Sequence, residues 1–260
     1  RVRAEAYFLL GRSTEHAESL VAALPIYQFA VGLYPKNLAL LTALADLLHR
    51  VGLGDRARPH YERVLAIHPN NAAAHLGLAE IDRAQGFLAR SQAHFDAVLE
   101  EWGDNPAIWR DYADLLCARR EYEKAAAAIA RSLALSFHVD SLLTLARIER
   151  GRGRSEAAHA QLAEAIHHAP ERKDALRQQA LWLLEDGRLD AARRLATVLL
   201  EQSPADPLAH WIRANAALRS GDARSARSDL AAAAEDERGH PFIAKTARAL
   251  LDRLTDEERR

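Results

Sequence analysis

Residues 38–71 read LALLTALADLLHRVGLGDRARPHYERVLAIHPNN. Two apolar-periodic stretches flank a turn at Gly52, and Pro69 closes the segment. In the first stretch Leu41, Leu44, Ala45 and Leu48 recur at the three-and-four spacing of one helix face. In the second, Ala57 and Tyr61 lie four apart. The segment reads as two helices folded back on each other, and its length recurs along the chain. Prolines at 35, 69, 170 and 204 give two steps of 34 residues; 69 to 170 spans 101, one short of three such steps. Glycines at 52, 86, 153, 187 and 221 keep the same phase. Repeat units therefore cover 4–37, 38–71, 72–105, 106–138, 139–172, 173–206 and 207–240, the fourth being one residue short.

Closely packed antiparallel helices need small residues where their backbones approach. The eighth position of each unit holds Gly11, Ala45, Ala79, Ala113, Ala146, Ala180 and Ala214. The twentieth holds Ala23, Ala57, Ser91, Ala125, Ala158, Ala192 and Ala226. All are small, although Gly, Ala and Ser make up only about 30% of the chain. Larger core residues follow in phase: Tyr7, Leu41, Trp109, Leu142 and Leu176 at the fourth position, Leu10, Leu44, Leu78, Tyr112 and Leu145 at the seventh. Tyr27, Tyr61, Phe95, Ile129 and Leu162 face them from the twenty-fourth.

A large residue, Leu-Gly or Leu-Ala three later, a second alanine, an aromatic four beyond it and a closing proline resemble the tetratricopeptide repeat. Leu44-Ala45, Ala57, Tyr61 and Pro69 match nearly completely in the second unit. The chain departs from the pattern at Gln179 and Arg213, and at Gly103, Phe137 and Arg238 in place of the closing proline. The resemblance implies an all-α fold, a right-handed superhelix of helix hairpins curving through about one turn, whose first helices line a concave wall.

Composition agrees. The 54 alanines and 39 leucines are strong helix formers, and few residues are β-branched or aromatic. Lys+Arg 35 against Asp+Glu 36 removes the bulk electrostatic case for nucleic acid or an anionic membrane. No apolar run approaches eighteen residues, which argues against membrane insertion, and Arg1-Val2-Arg3-Ala4-Glu5 has no apolar signal core. A single cysteine, Cys117, rules out an internal disulfide. Alanine and arginine richness suggests a bacterial source with a GC-rich genome, and hence the bacterial cytoplasm or periplasm. A first residue other than methionine is compatible with a piece of a longer protein.

Local chemistry adds detail. Asp55, Ser155 and Asp222 are expected to cap second helices after their glycine turns. Pro25 and Pro59 share one repeat position and are expected within about the first turn of that helix. Residues 241–254 read as a C-terminal capping helix, and the charged tail 255–260 is expected to fray.

Positions two, five, nine and twelve of each first helix share the face opposite the core. They bring Glu5, Phe8, Arg12 and Glu15, then Ala39, Thr42, Asp46 and His49, to the inner wall. Further along, Arg110, Arg147, Arg150 and Arg177 form a guanidinium cluster suited to an acidic peptide, unless Asp114 and Asp140 neutralise it from within. Leu181, Leu184, Leu208, Trp211 and Leu218 form an apolar patch near the end, with Asn215 beside it, unless shifted packing at Gln179 and Arg213 buries it. The lysine and asparagine clamp of chaperone-binding repeats is absent, since Phe8, Arg12, Thr42, Asp46, Ala73 and Gly77 occupy its places. Only Asn215 fits the asparagine ladder of sugar-transferring relatives.

Enzyme signatures are lacking. The histidines scatter, His167-His168 has no paired ligand set, and His75 and His210 fall on core positions. Cys117 has no local activating base, and no phosphate loop, nucleophile elbow or HExxH is present. The expectation is a non-catalytic scaffold without metal or cofactor that holds a protein or peptide ligand. The alternatives are the recruiting part of a larger bacterial enzyme or polysaccharide-export system, and self-association through the apolar patch.

Overall fold

The computed structural model describes residues 4, 7, 8, 20–235 and 239–258, with side chains to Thr255 in the last helix. Glu5, Leu10, Gly11, Arg12, Glu15 and Arg238 lie outside the described residues. The described elements are helices: α1 Leu20–Leu33, α2 Leu38–Arg50, α3 Gly54–Ile67, α4 Ala72–Ala84, α5 Leu88–Trp102, α6 Pro106–Ala118 and α7 Tyr122–Leu135. They continue as α8 Val139–Gly151, α9 Ser155–His168, α10 Lys173–Glu185, α11 Leu189–Gln202, α12 Pro207–Arg219, α13 Ala223–Ala234 and α14 Pro241–Glu258. The chain folds as two compact units, Arg1–Phe137 and His138–Arg260.

Within each unit neighbouring helices pair as hairpins: α2 with α3, α4 with α5 and α6 with α7, then α8 with α9, α10 with α11 and α12 with α13. Ala45, Ala79, Ala113, Ala146, Ala180 and Ala214 are fully buried, and so are Ala23, Ala57, Ser91, Ala125, Ala158, Ala192 and Ala226. These are the close-approach positions read from the sequence. Where the small residue is a serine, its hydroxyl is satisfied across the hairpin: Ser91 Oγ donates to the Ala79 carbonyl at 2.8 Å.

Four first helices, α2, α4, α6 and α12, open where a side chain caps them, whereas His138 and Arg172 precede α8 and α10 without one. Asn37 accepts from the Leu40 N–H, Asn71 from Ala74, Asn105 from Ala107, and Asp206 from Leu208 and Ala209. The carbonyl two or three residues upstream is also taken up. His75 Nε2 lies 2.8 Å from the Pro69 carbonyl, Trp109 Nε1 donates to Gly103 at 2.7 Å, and His210 Nε2 lies 2.8 Å from Pro204. The fourth repeat position thus fastens each of these units to the connection before it, and Gly103 serves as well as a proline.

Second helices begin differently. Leu53, Phe87, Glu121, Arg154 and Arg188 precede them without a side-chain cap. The preceding helix ends on a left-handed residue instead, as where the Leu53 N–H reaches back to Leu48 across Gly52 at φ 81°. This corrects two expected caps: Asp55 and Ser155 lie inside the first turn of α3 and α9, whereas Asp222 does cap α13, accepting from Ser225 at 3.0 Å. Pro59 is likewise deeper than expected, at the sixth residue of α3, where its missing N–H removes one helical bond. Pro25 holds the same place in α1. The C-terminal helix runs on to Glu258 instead of ending at 254, and Thr255 Oγ1 bonds the Leu251 carbonyl at 2.9 Å.

Arg213 and His210, polar residues at core positions, share one buried carboxylate. Arg213 donates twice to Asp229 at 2.7 Å, and His210 Nδ1 lies 2.8 Å from the same carboxylate. Burial pushes the Asp229 carboxyl up, but hydrogen bonds from Arg213 and His210 outweigh it and hold the group below its ordinary value.

Candidate partner-binding surfaces

In the first unit the inner face of α2 opens a cavity of about 700 Å³. Ala39, Thr42 and Asp46 of α2 line it, with Arg50, Phe8 and the capping Asn71. Asp46 is fixed from behind: Tyr61 of α3 donates its hydroxyl to Oδ1 at 2.6 Å. Burial pushes the Asp46 carboxyl up, and the Tyr61 bond only partly opposes this. The Tyr61 ring is seated over Gly77, where a Cβ would lie 2.2 Å from Cζ. Beside it His49 Nε2 meets Glu80 Oε2 at 2.8 Å. The cavity thus offers an aromatic face, a hydroxyl, an amide, one carboxylate and one guanidinium. Such a mixture suits a peptide segment with its own backbone donors and acceptors. The inner-face residues Phe8, Ala39, Thr42 and Asp46 were legible as a row, but periodicity does not show where a wall hollows.

The guanidiniums singled out in the sequence fall in both units, and each is described within its own. Arg110 belongs to the first unit and donates to Asp111 at 3.1 and 3.2 Å. Burial raises the Asp111 carboxyl, against the opposing pull of Arg110. Arg147, Arg150 and Arg177 lie in the second unit. Arg147 is exposed and donates to Thr144 Oγ1 at 3.0 Å. Arg150 pairs with Asp186 at 2.6 Å and Glu185 at 3.0 Å, and its guanidinium lies over the Trp182 ring, 5.4 Å from the centroid. The hydrogen bond from Arg150, aided by His159, holds Asp186 below the usual carboxylate range. Arg177 pairs with the buried cap Asp206 at 2.6 Å. Asp111 thus answers Arg110, Glu185 and Asp186 answer Arg150, and Asp206 answers Arg177; Asp140 pairs with Arg172 at 2.5 Å.

One residue of the apolar patch lies in the core and the other four are half-buried. Leu184 is buried, and Leu181, Leu208 and Trp211 pack half-buried against the cluster of Leu176, Leu199 and Ile212. Trp211 and Leu218 also touch the cluster of Leu230 and Ala233. The Trp211 indole N–H is buried without a hydrogen-bond partner among the described residues. Asn215 donates to the Trp211 carbonyl at 2.8 Å and is occupied locally. Cys117 is a half-buried thiol outside any disulfide, and among the described residues no three His, Cys, Asp or Glu side chains converge as a metal site. No described helix is long and apolar enough to cross a membrane.

Comparison with known families decides the relationship. Tetratricopeptide repeat models match residues 38–81, and 81–136, 143–207 and 183–241. The chain belongs to the tetratricopeptide repeat family. A tetratricopeptide repeat protein from Parabacteroides merdae superposes with a TM-score of 0.75 at 18% identity, over 98% of this chain and 100% of that one. PilW, a widely conserved type IV pilus biogenesis factor, gives 0.70 at 20% identity, over 80% of this chain and 97% of its own. The Cut9–Hcn1 hetero-tetramer of the APC/C gives 0.72 at 15% identity, over 95% of this chain and 48% of that one. At these identities the likeness is one of fold. A search of curated proteins finds no match.

Proposed function

We propose that this tetratricopeptide protein is a non-catalytic scaffold that binds an extended segment of a partner protein along the inner face of its first helices. The observation that carries this reading is the cavity of about 700 Å³ on α2, whose lining is mixed in polarity and built from helix side chains. A preformed wall leaves little ordering cost on the scaffold, so a modest contact area suffices for useful affinity.

The test is affinity capture with the intact chain, then measurement of the captured partner's affinity for three variants. Ala39→Arg fills the cavity from an exposed position and is expected to weaken binding by about tenfold or more, some 1.4 kcal/mol. Arg147→Glu with Arg177→Glu tests the acidic-ligand reading, which also demands weaker binding at higher salt. Trp211→Ala tests the apolar patch, whose affinity would be insensitive to salt. Unchanged affinity in Ala39→Arg, with loss in either of the others, removes the α2 cavity from the account.

A further inference from the structure

Consecutive hairpin turns within a unit stand side by side, and most are tied to each other. Between the turns at Gly52 and Gly86, Gln85 receives Arg58 at 2.9 Å and donates to Asp55 at 2.6 Å. Between those at Gly153 and Gly187, Asp186 accepts from Arg150 at 2.6 Å and Arg188 pairs with Glu156. Between Gly187 and Gly221, the Arg219 guanidinium donates to the Leu184 carbonyl.

The turns of Gly86 and Arg120 differ. A cavity of about 600 Å³ separates them, with Phe87, Leu88 and Ala118 as apolar floor and Arg90, Arg119 and Arg120 around it. Arg90 folds back to Asp82 at 2.6 Å while its guanidinium lies 4.6 Å from the Phe87 ring centroid. Arg119 pairs with Glu121 of its own turn at 2.5 Å, and Lys124 takes the other oxygen of that carboxylate at 2.6 Å. The Arg120 guanidinium meets no acceptor among the described residues. Two residues are unusual for their places. Phe87 is 50% exposed, and Arg120 stands at φ 60° where five other turns carry glycine.

We infer that this crevice docks an acidic segment of a partner protein, one apolar side chain entering against Phe87 and an adjacent carboxylate meeting Arg119 and Arg120. The argument is charge complementarity: of the three guanidiniums that line the cavity, Arg90 is answered by Asp82 and Arg119, with Lys124, by Glu121, which leaves the exposed Arg120 guanidinium as the uncompensated charge. The apolar floor favours a peptide over a phosphate backbone, whose affinity comes from repeated cation contacts along a stripe. The crevice lies on the turn side of the hairpins and does not depend on the α2 cavity.

The test is a titration of the intact, isotope-labelled chain followed by amide resonances. The probes are acetyl-Leu-Asp-Glu amide, acetyl-Leu-Lys-Lys amide, inorganic phosphate and a ten-nucleotide oligothymidylate. The acidic peptide is expected to shift the amides of residues 86–90 and 118–121, with the basic peptide and phosphate leaving them in place. Arg120→Glu should weaken the acidic peptide by about tenfold or more, and Arg120→Gly, which relaxes the turn, by about threefold. Phe87→Ala should weaken it while the remaining resonances report an intact fold. No shift at millimolar acidic peptide, an equal response to the basic peptide, unchanged affinity in Arg120→Glu, or tighter binding of the oligonucleotide would each overturn the inference.

Discussion

At Arg120 a side chain sits on backbone that five sister turns entrust to glycine. The left-handed region costs a residue with a Cβ about 1 kcal/mol, and the helix-ending bonds around Arg120 match those at Gly52. Arg120→Gly is therefore expected to stabilise the chain by about 1 kcal/mol in denaturant unfolding. No change, or a loss, would show that the guanidinium contributes to the fold. Gly77 is the converse case, a helical glycine with the Tyr61 ring in the space a Cβ would need. Gly77→Ala should destabilise by about 1–3 kcal/mol through overpacking and displace Tyr61 from Asp46. The glycine phase made the turns legible in the sequence, but it skips the fourth unit, and no propensity announces an arginine in a left-handed turn.

At the scale of elements, α4 and α5 are joined by a histidine pair whose contact is a single hydrogen bond between the two Nδ1 atoms. His75 Nδ1 lies 2.9 Å from His94 Nδ1, so one ring must donate and the other accept. His75 Nε2 faces the Pro69 carbonyl; Asp82 of α4 stands 3.8 Å from His94, with Arg58 of α3 and Arg90 of α5 around it. Burial, then His75, holds the His94 pKa below its ordinary 6.5. The unfolded chain therefore binds a proton that the folded chain resists, and stability falls as pH drops below 6.5 toward the folded value. Asp82 works lower on the scale: burial raises it, but Arg90 and Arg58 outweigh that and keep it below 3.8. Its contribution is present above 3.8 and is lost only as pH falls through the depressed value. Thermal melting between pH 7.5 and 5 should thus decline in the wild type and decline less in His94→Gln. An identical slope in both would exclude the pair as the source. The sequence placed His75 and His210 in the core but gave no partner, because His94 and Asp229 lie 19 residues away across the hairpin.

Across the whole chain, the fold was legible wherever one position had one physical duty. Thirteen described close-approach residues are small because two backbones meet there, and each is fully buried. Ala57→Leu or Ala125→Leu should accordingly lower stability by about 1–3 kcal/mol. The candidate sites were less legible, because a charge on an inner face says nothing of what answers it. Arg177 and Asp206 are 29 residues apart and Arg150 and Asp186 are 36, so these pairs form only once neighbouring hairpins stack. Leu184 fell on the inner face by periodicity yet is buried, since periodicity ignores the helices stacked alongside. The α2 cavity depends in the same way on the residues that α2 gathers from its neighbours. Hydrogen exchange of the chain with and without a captured partner bears most directly on the central claim, that the first helices are the binding surface. Protection on binding should concentrate in α2 and the start of α4, around Ala39, Thr42 and Asn71. Protection confined to the second helices α3, α5 and α7, with α2 unchanged, would contradict it.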